Sequence, residues 1–207
     1  MPTAYQLDLL MKPSGRTAIL TASGFVLDLA SPDATGLPVE DVARALAYQP
    51  RWCGATSQFY SVAEHSVMVS HLVPEALAYD GLWHDCVESI SGDWPSPLKV
   101  HLGREEVKRK LAPLEAAFQR RFGYRADLPE VKAADLVAMA TELRDLLPPA
   151  WMDWGHLPDP HPAPIRPVGP ERAYSLFMER YEELKHLAAL PGPAAKGRGG
   201  TRRRTAR

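Results

Sequence analysis

Residues 81–99 read GLWHDCVESISGDWPSPLK. An apolar, helix-compatible stretch carries the adjacent pair His84-Asp85, and Gly92, Pro95 and Pro97 then close it. Proline removes a backbone donor and glycine costs the most chain entropy, so this cluster ends a helix that the pattern extends back to Glu75. One helix is therefore predicted over Glu75–Ile90. Working outward, the same punctuation recurs. Ser61 and Glu64 form an S-x-x-E capping box, which starts a helix running to about Val73. Pro38 opens VEDVARALAYQ with two acids in the first turn, where the helix dipole favours them, and Pro50 stops it. Downstream, helices are predicted over Glu105–Phe122 (ending near Gly123), over Pro129–Leu147 (closed by Pro148-Pro149), and between Pro170 and Leu190. Residues 148–170, rich in Pro and Trp, read as an extended surface loop. Thr17–Leu20 and Phe25–Leu29 flank Ala22-Ser23-Gly24 and read as a short β-hairpin. The expected fold class is all-α, a helical bundle with a small N-terminal hairpin. Residues 37–190 form its one domain, 1–36 an N-terminal segment, and 191–207 a tail.

The composition suits such a domain. Of 207 residues, 45% are hydrophobic and 24% charged, enough to bury a core. No apolar run approaches the roughly 18 residues that span a bilayer. The first residues, MPTAYQLDLLMKPSGR, lack the basic start of a secretory signal, and Cys53 and Cys86 form no C-x-x-C pair. A cytoplasmic address with no membrane contact is expected. The net charge of −1 hides an asymmetry. From Pro191 onward there are six basic residues and no acidic one, which leaves the preceding 190 residues at −7. The Gly- and Arg-rich tail is expected to be disordered; weak contact with nucleic acid and no specific task are both compatible with it.

Four residues then stand out by type and setting. His65 sits in SVAEHSVMVS, His84 and Asp85 in GLWHDCVES, and Asp135 in VKAADLVAM, all stretches otherwise apolar or small. A charged or imidazole group facing a helical core is costly without a partner. Imidazole nitrogen with carboxylate oxygen suits Zn²⁺, Mn²⁺, Co²⁺ or Fe²⁺. Residue type alone leaves two readings open: a metal cage, or separately satisfied polar side chains.

The stretches FYSVAEHSVMVS, GLWHDCVESISGDWPSPLK and EVKAADLVAMATELRDLL resemble the HD-domain phosphohydrolases. They are most similar to the branch with the bacterial 5′-deoxynucleotidases and the phage dATP triphosphohydrolases. The likeness covers roughly residues 17–147, and HDxxExxxGDxPxPLK is far more specific than an HD pair. The resemblance implies an HD-domain bundle, a homo-oligomer, and a divalent metal (Zn, Co, Mn or Mg) held by His65, His84, Asp85 and Asp135. It implies that Glu88 acts beside the metal as general acid or base, and that Asp93 lies near the sugar and the reacting phosphate. Arg51 and Trp52 match an Arg-Trp pair at the pocket mouth, where Arg can fork onto phosphate oxygens and Trp can pack on sugar or base.

Lys99 follows the Pro-Ser-Pro turn, and Lys132 lies one helical turn before Asp135. Both are candidates to meet a polyphosphate. The small residues after Trp52, Gly54 above all, leave room for either purine. The expected activity is metal-dependent hydrolysis of a deoxynucleoside triphosphate such as dATP to deoxynucleoside and triphosphate. A 5′-deoxynucleotidase acting on monophosphates is the alternative, and a non-catalytic nucleotide- or nucleic-acid-binding protein the third reading. No P-loop or G-x-S-x-G motif occurs, so neither a phosphate-cradling NTPase loop nor a serine nucleophile is indicated.

Overall fold

The computed structural model describes residues 17–149, 155 and 157–188. The expected basic tail, the start of the N-terminal segment and part of the 148–170 loop lie outside the described residues. The fold is mostly α-helical with a two-stranded N-terminal hairpin. Strands β1 (Ala18–Leu20) and β2 (Val26–Asp28) pair antiparallel, Ala18 opposite Asp28 and Leu20 opposite Val26. The hairpin docks through Asp41 of helix α1 (Val39–Tyr48), whose carboxylate accepts from the Thr21 and Ser23 hydroxyls and from the Ser23 N–H.

Helix α2 (Val62–Leu72) is the centre of the bundle, with His65, Ser66 and Val69 buried among its neighbours. Its capping box forms as expected: Ser61 Oγ accepts from the Glu64 N–H at 3.1 Å, and Glu64 Oε2 accepts from the Ser61 N–H at 2.9 Å. The other Glu64 oxygen accepts from the Val168 N–H at 2.7 Å and ties a distant loop to this helix start.

The single helix expected over Glu75–Ile90 is instead broken. A 3₁₀ turn (Glu75–Leu77) leads into α3 (Ala78–Trp83), a tight turn spans 84–87, and α4 covers Glu88–Ser91. The Gly81 carbonyl, the usual acceptor for the N–H four residues on, takes the His84 ring N–H at 2.8 Å. The N–H groups of Cys86, Glu88, Ser89 and Ile90 then bond three residues back, at 2.9–3.1 Å. Ring-to-backbone competition, which helix propensity ignores, breaks the helix at the His-Asp pair.

A short helix α5 (Ser96–His101) follows Pro95, where the sequence suggested only a turn. Pro97 sits in its first turn, where no intrahelical donor is needed. Helices α6 (Arg104–Phe122), α7 (Pro129–Leu146) and α8 (Pro170–Leu184) complete the bundle. Gly123, at φ 72°, ends α6 in the left-handed cap that glycine favours.

Two packing details place the site. Gly81 lets α3 lie directly on α2: a Cβ there would come within 3.1 Å of Ser70 Cα and 3.2 Å of Val73 Cγ2. Trp83 is fully buried, stacked on Phe122 with ring centroids 4.2 Å apart and edged by Phe177 and Tyr181. The residue before His84 is thereby clamped in the core. Among the described residues, no helix is long and apolar enough to cross a membrane.

Candidate metal centre

Helices α2 and α7 and the turn after α3 bring four side chains to one point. His65 Nε2 lies 3.3 Å from His84 Nε2, 3.1 Å from Asp135 Oδ1 and 3.5 Å from Asp85 Oδ2, while His84 Nε2 lies 3.1 Å from Asp85 Oδ2. His65, His84 and Asp135 each offer one ligand atom, all within 4.8 Å of one another, in a cluster able to hold a metal ion.

Hydrogen bonding decides how the rings point. His84 Nδ1 faces the Gly81 carbonyl, which only accepts, so this nitrogen carries the hydrogen. His65 Nδ1 lies 2.6 Å from Glu142 Oε1, and the positive charges of His65 and Arg51 hold the Glu142 carboxyl below its usual range despite burial, which alone would raise it. His65 Nδ1 therefore also donates. Both Nε2 atoms, 3.3 Å apart, face one spot between two carboxylates. A proton on His65 Nε2, facing Asp135 at 3.1 Å, fills that spot when no metal is bound, and loss of that proton frees both Nε2 lone pairs for a cation. Two imidazole nitrogens with carboxylate oxygens are the borderline donor set of Zn²⁺, Mn²⁺ and Co²⁺, so the residues fit a divalent metal.

The same demand for positive charge appears in the titration of the groups. Burial and Arg51 pull the His65 imidazole down, yet Glu142 and Asp135 outweigh them and push it up to about 10. Desolvation opposes ionisation of Asp85, but His84, His65 and Arg51 hold its carboxyl far below the carboxylate range. Burial raises Glu88 well above that range, and the neighbouring charges of Asp85 and Asp93 add to the effect. Asp93 is raised as well, mainly by burial, against the pull of Arg51.

Around this cluster the structure gathers most of the residues singled out by sequence. Arg51 Nη1 lies 3.8 Å from Asp85 and 3.4 Å from Asp93, with Nη2 3.3 Å from Glu142. Glu88 Oε1 is 3.6 Å from Lys99 Nζ, and its buried Oε2 has no hydrogen-bond partner among the described residues. The Gln49 amide, turned to satisfy both ends, donates to the Glu88 carbonyl at 3.0 Å and accepts from the Asp93 N–H. A cleft of about 400 Å³ opens from His84, Asp85 and Glu88 past Lys99 and Lys132 to Arg104 and Lys108. Lys132 is exposed on its rim, and Gly54 is not among the lining residues. Gly54 lies on the surface at φ 77°, where a Cβ would meet nothing within 4 Å among the described residues. Its positive φ is itself a reason for glycine.

Three features escaped the sequence reading. The first is Glu142, fully buried, whose Oε2 accepts from Trp52 Nε1 at 2.7 Å while Oε1 accepts from His65. It stands two helical turns after Asp135 on the same face of α7, inside an apolar stretch, and that spacing was the available signal. The second is the backbone of Arg51–Gly54, in which Trp52 and Cys53 adopt φ of 55° and 52°. Such non-glycine conformations cost on the order of 1–3 kcal/mol each and persist only where the surroundings hold them. The third is the pair Arg104 and Lys108, which adds two cations to the cleft.

No protein-family model matches the chain. It is 37% identical over 153 residues to the Escherichia coli (strain K12) protein described as "Uncharacterized protein YfdR", an alignment covering 72% of this chain and 85% of that one. It is 36% identical over 138 residues to "Uncharacterized protein RCAP_rcc00048" of Rhodobacter capsulatus, covering 60% of this chain and 70% of the relative. With identity at this level along most of both relatives, the chain belongs to the family of YfdR and RCAP_rcc00048.

Proposed function

We propose that this protein is a metal-dependent nucleotide phosphohydrolase of the HD-domain type, with deoxynucleoside triphosphates as its substrates. The observation that carries the proposal is the convergence of two oriented Nε2 atoms and two carboxylates at the mouth of a cleft lined by further cations. His65, His84, Asp85 and Asp135 would hold the metal. When bound, such an ion lowers the pKa of water and polarises a phosphoryl oxygen.

The chain's own residues supply the rest. Water adds to the α-phosphorus, the bond from phosphorus to the 5′-oxygen breaks, and that oxygen leaves with a proton as deoxynucleoside while triphosphate departs. Arg51, held between Asp85, Asp93 and Glu142, presents a guanidinium to the phosphate oxygens and offsets their charge. Glu88 has a buried oxygen with no partner among the described residues, next to the cluster, and is placed to carry a proton. Asp93, held beside Arg51, is the second carrier. Lys99, Lys132, Arg104 and Lys108 line the route that the β- and γ-phosphates would take.

A 5′-deoxynucleotidase is the second reading, and one observation favours it. Lys99 is engaged with Glu88 at 3.6 Å, Lys108 with Asp127 at 3.5 Å, and Arg104 with Ser96 at 2.6 Å, so these cations already have partners. A monophosphate at the metal needs none of them. The deciding experiment incubates the protein with Mn²⁺, Co²⁺, Zn²⁺ or Mg²⁺ and each deoxynucleoside mono- and triphosphate. Ion-exchange chromatography then separates orthophosphate from triphosphate. Triphosphate release supports the first reading and orthophosphate from monophosphates the second. Neither product with any metal ends both.

A further inference from the structure

Glu142 joins two parts of the site that have separate tasks. Its Oε1 accepts from His65, whose other nitrogen points to the metal position, and its Oε2 accepts from Trp52 and Arg51. A carboxylate is a rigid plane, so one oxygen cannot move without the other. Trp52 and Arg51 belong to a strap, residues 51–60, that hangs from the two helices bearing metal ligands. At its base Pro50 and Ser61 form a bridge, with the Arg51 N–H donating to the Tyr60 carbonyl at 2.9 Å. Ser61 is the cap of α2, which carries His65. Farther along, the Ser57 N–H donates at 2.8 Å to the Leu146 carbonyl at the end of α7, which carries Asp135 and Glu142. The Trp52-Cys53 backbone is held in a left-handed conformation that an unrestrained chain would leave.

We propose that Glu142 is a positioning residue that couples the metal position to the Arg51–Trp52 strap. The coupling rests on the reading of the cluster as a metal centre. Metal at Nε2 fixes the His65 ring, the ring N–H fixes the Glu142 plane, and that plane holds the indole of Trp52 and the guanidinium of Arg51 where a phosphate would meet them. By linkage the effect is reciprocal: a strap that is held firmly strengthens metal binding.

The test measures metal affinity and strap dynamics rather than turnover. Mn²⁺ binding is followed by titration calorimetry for the wild type, Glu142→Gln and Trp52→Phe. Hydrogen exchange over residues 51–60 is measured with and without Mn²⁺. Glutamine keeps the shape but replaces one acceptor oxygen by an amide donor, so it cannot serve both His65 and Trp52. Its Mn²⁺ affinity should fall about 10–100-fold, the usual effect of losing an outer partner of a metal-bound histidine. Trp52→Phe leaves every proposed ligand and Glu142 in place. It should still weaken Mn²⁺ binding by about fivefold or more, the lower end of ordinary site-to-site coupling. Mn²⁺ should slow exchange of the strap in the wild type but not in Trp52→Phe. Should Glu142→Gln fail to fold, Trp52→Phe carries the test. Wild-type binding with a Trp52→Phe variant unchanged in both readouts overturns the coupling alone. A wild type that takes up no Mn²⁺, Co²⁺ or Zn²⁺ overturns the metal reading and the coupling with it.

Discussion

Replacing Gly81 by alanine tests how the site is assembled, because two local rules predict opposite signs. Gly81 lies inside α3, and exchanging a helical glycine for alanine ordinarily stabilises by about 0.5–1 kcal/mol. Here the added Cβ would stand 3.1 Å from Ser70 Cα, and that neighbour is backbone of the central helix. Carbon atoms rest about 3.5–4.0 Å apart, so α3 must move away from α2 by roughly 0.4 Å or more. Overpacking of this kind costs about 1–3 kcal/mol. Set against the propensity gain, the net loss is about 0–2.5 kcal/mol, with a middle value of about 1 kcal/mol. For a chain of this size that lowers the melting temperature by about 0–10 °C, with a middle value of about 3 °C. The displacement also reaches His84, which directly follows α3 and sits 3.3 Å from His65, so metal binding should weaken together with stability. Circular dichroism melts and Mn²⁺ titration of the Gly81→Ala protein read both effects. A variant more stable than the wild type, with Mn²⁺ binding unchanged, would refute the close packing of α3 on α2.

The other predictions concern the chemistry and the loop. His84→Ala should abolish stoichiometric divalent-metal uptake and turnover together, checked by metal analysis after dialysis; full metal content with normal activity would sink the metal centre. Glu88→Gln should bind metal and nucleotide normally but lose turnover by about 10²–10⁴-fold, the range of a general acid–base contribution. A change confined to KM would make Glu88 a binding residue instead. Asp145 accepts from Arg144 and from the Ile165 N–H at 2.8 Å, and these bonds, Arg144 first, lower its pKa from the ordinary value of 3.8. With the folded value below the unfolded one, its contribution to stability is present above about pH 4 and is lost as pH falls through the folded value. The melting temperatures of wild type and Asp145→Asn should therefore differ at pH 6 and converge towards pH 3. A gap that stays constant across this range would show that the carboxylate does not anchor the loop.

Much of this molecule could be read from short-range signals. The capping box of Ser61 and Glu64, the stops at Pro50 and Gly123 and the turn at Gly24 are interactions within four residues of the chain, and all appear where expected. Polar residues in apolar helical stretches pointed to His65, His84 and Asp135, because a buried charge must have a partner wherever that partner lies. The same rule applied to Glu142, whose place two turns after Asp135 on one helix face was the mark of it, but no capping or turn motif draws attention to that position.

The sequence by itself determined that the chain is helical, roughly where most helices begin and end, and which polar side chains stand in apolar helical stretches; whether they share one cage it left open. Tertiary structure alone decided that the helix breaks at His84, because the Gly81 carbonyl bonds the ring rather than continuing the backbone ladder. It alone decided which nitrogen of each imidazole faces the centre, since that choice belongs to Glu142 and Gly81 as acceptors. It also brought Arg104 and Lys108 into the cleft and Trp52 onto Glu142 across 90 residues of chain. Local propensities act over a few residues. Orientation and charge at the site are set by partners that only the packing of helices brings within hydrogen-bonding reach.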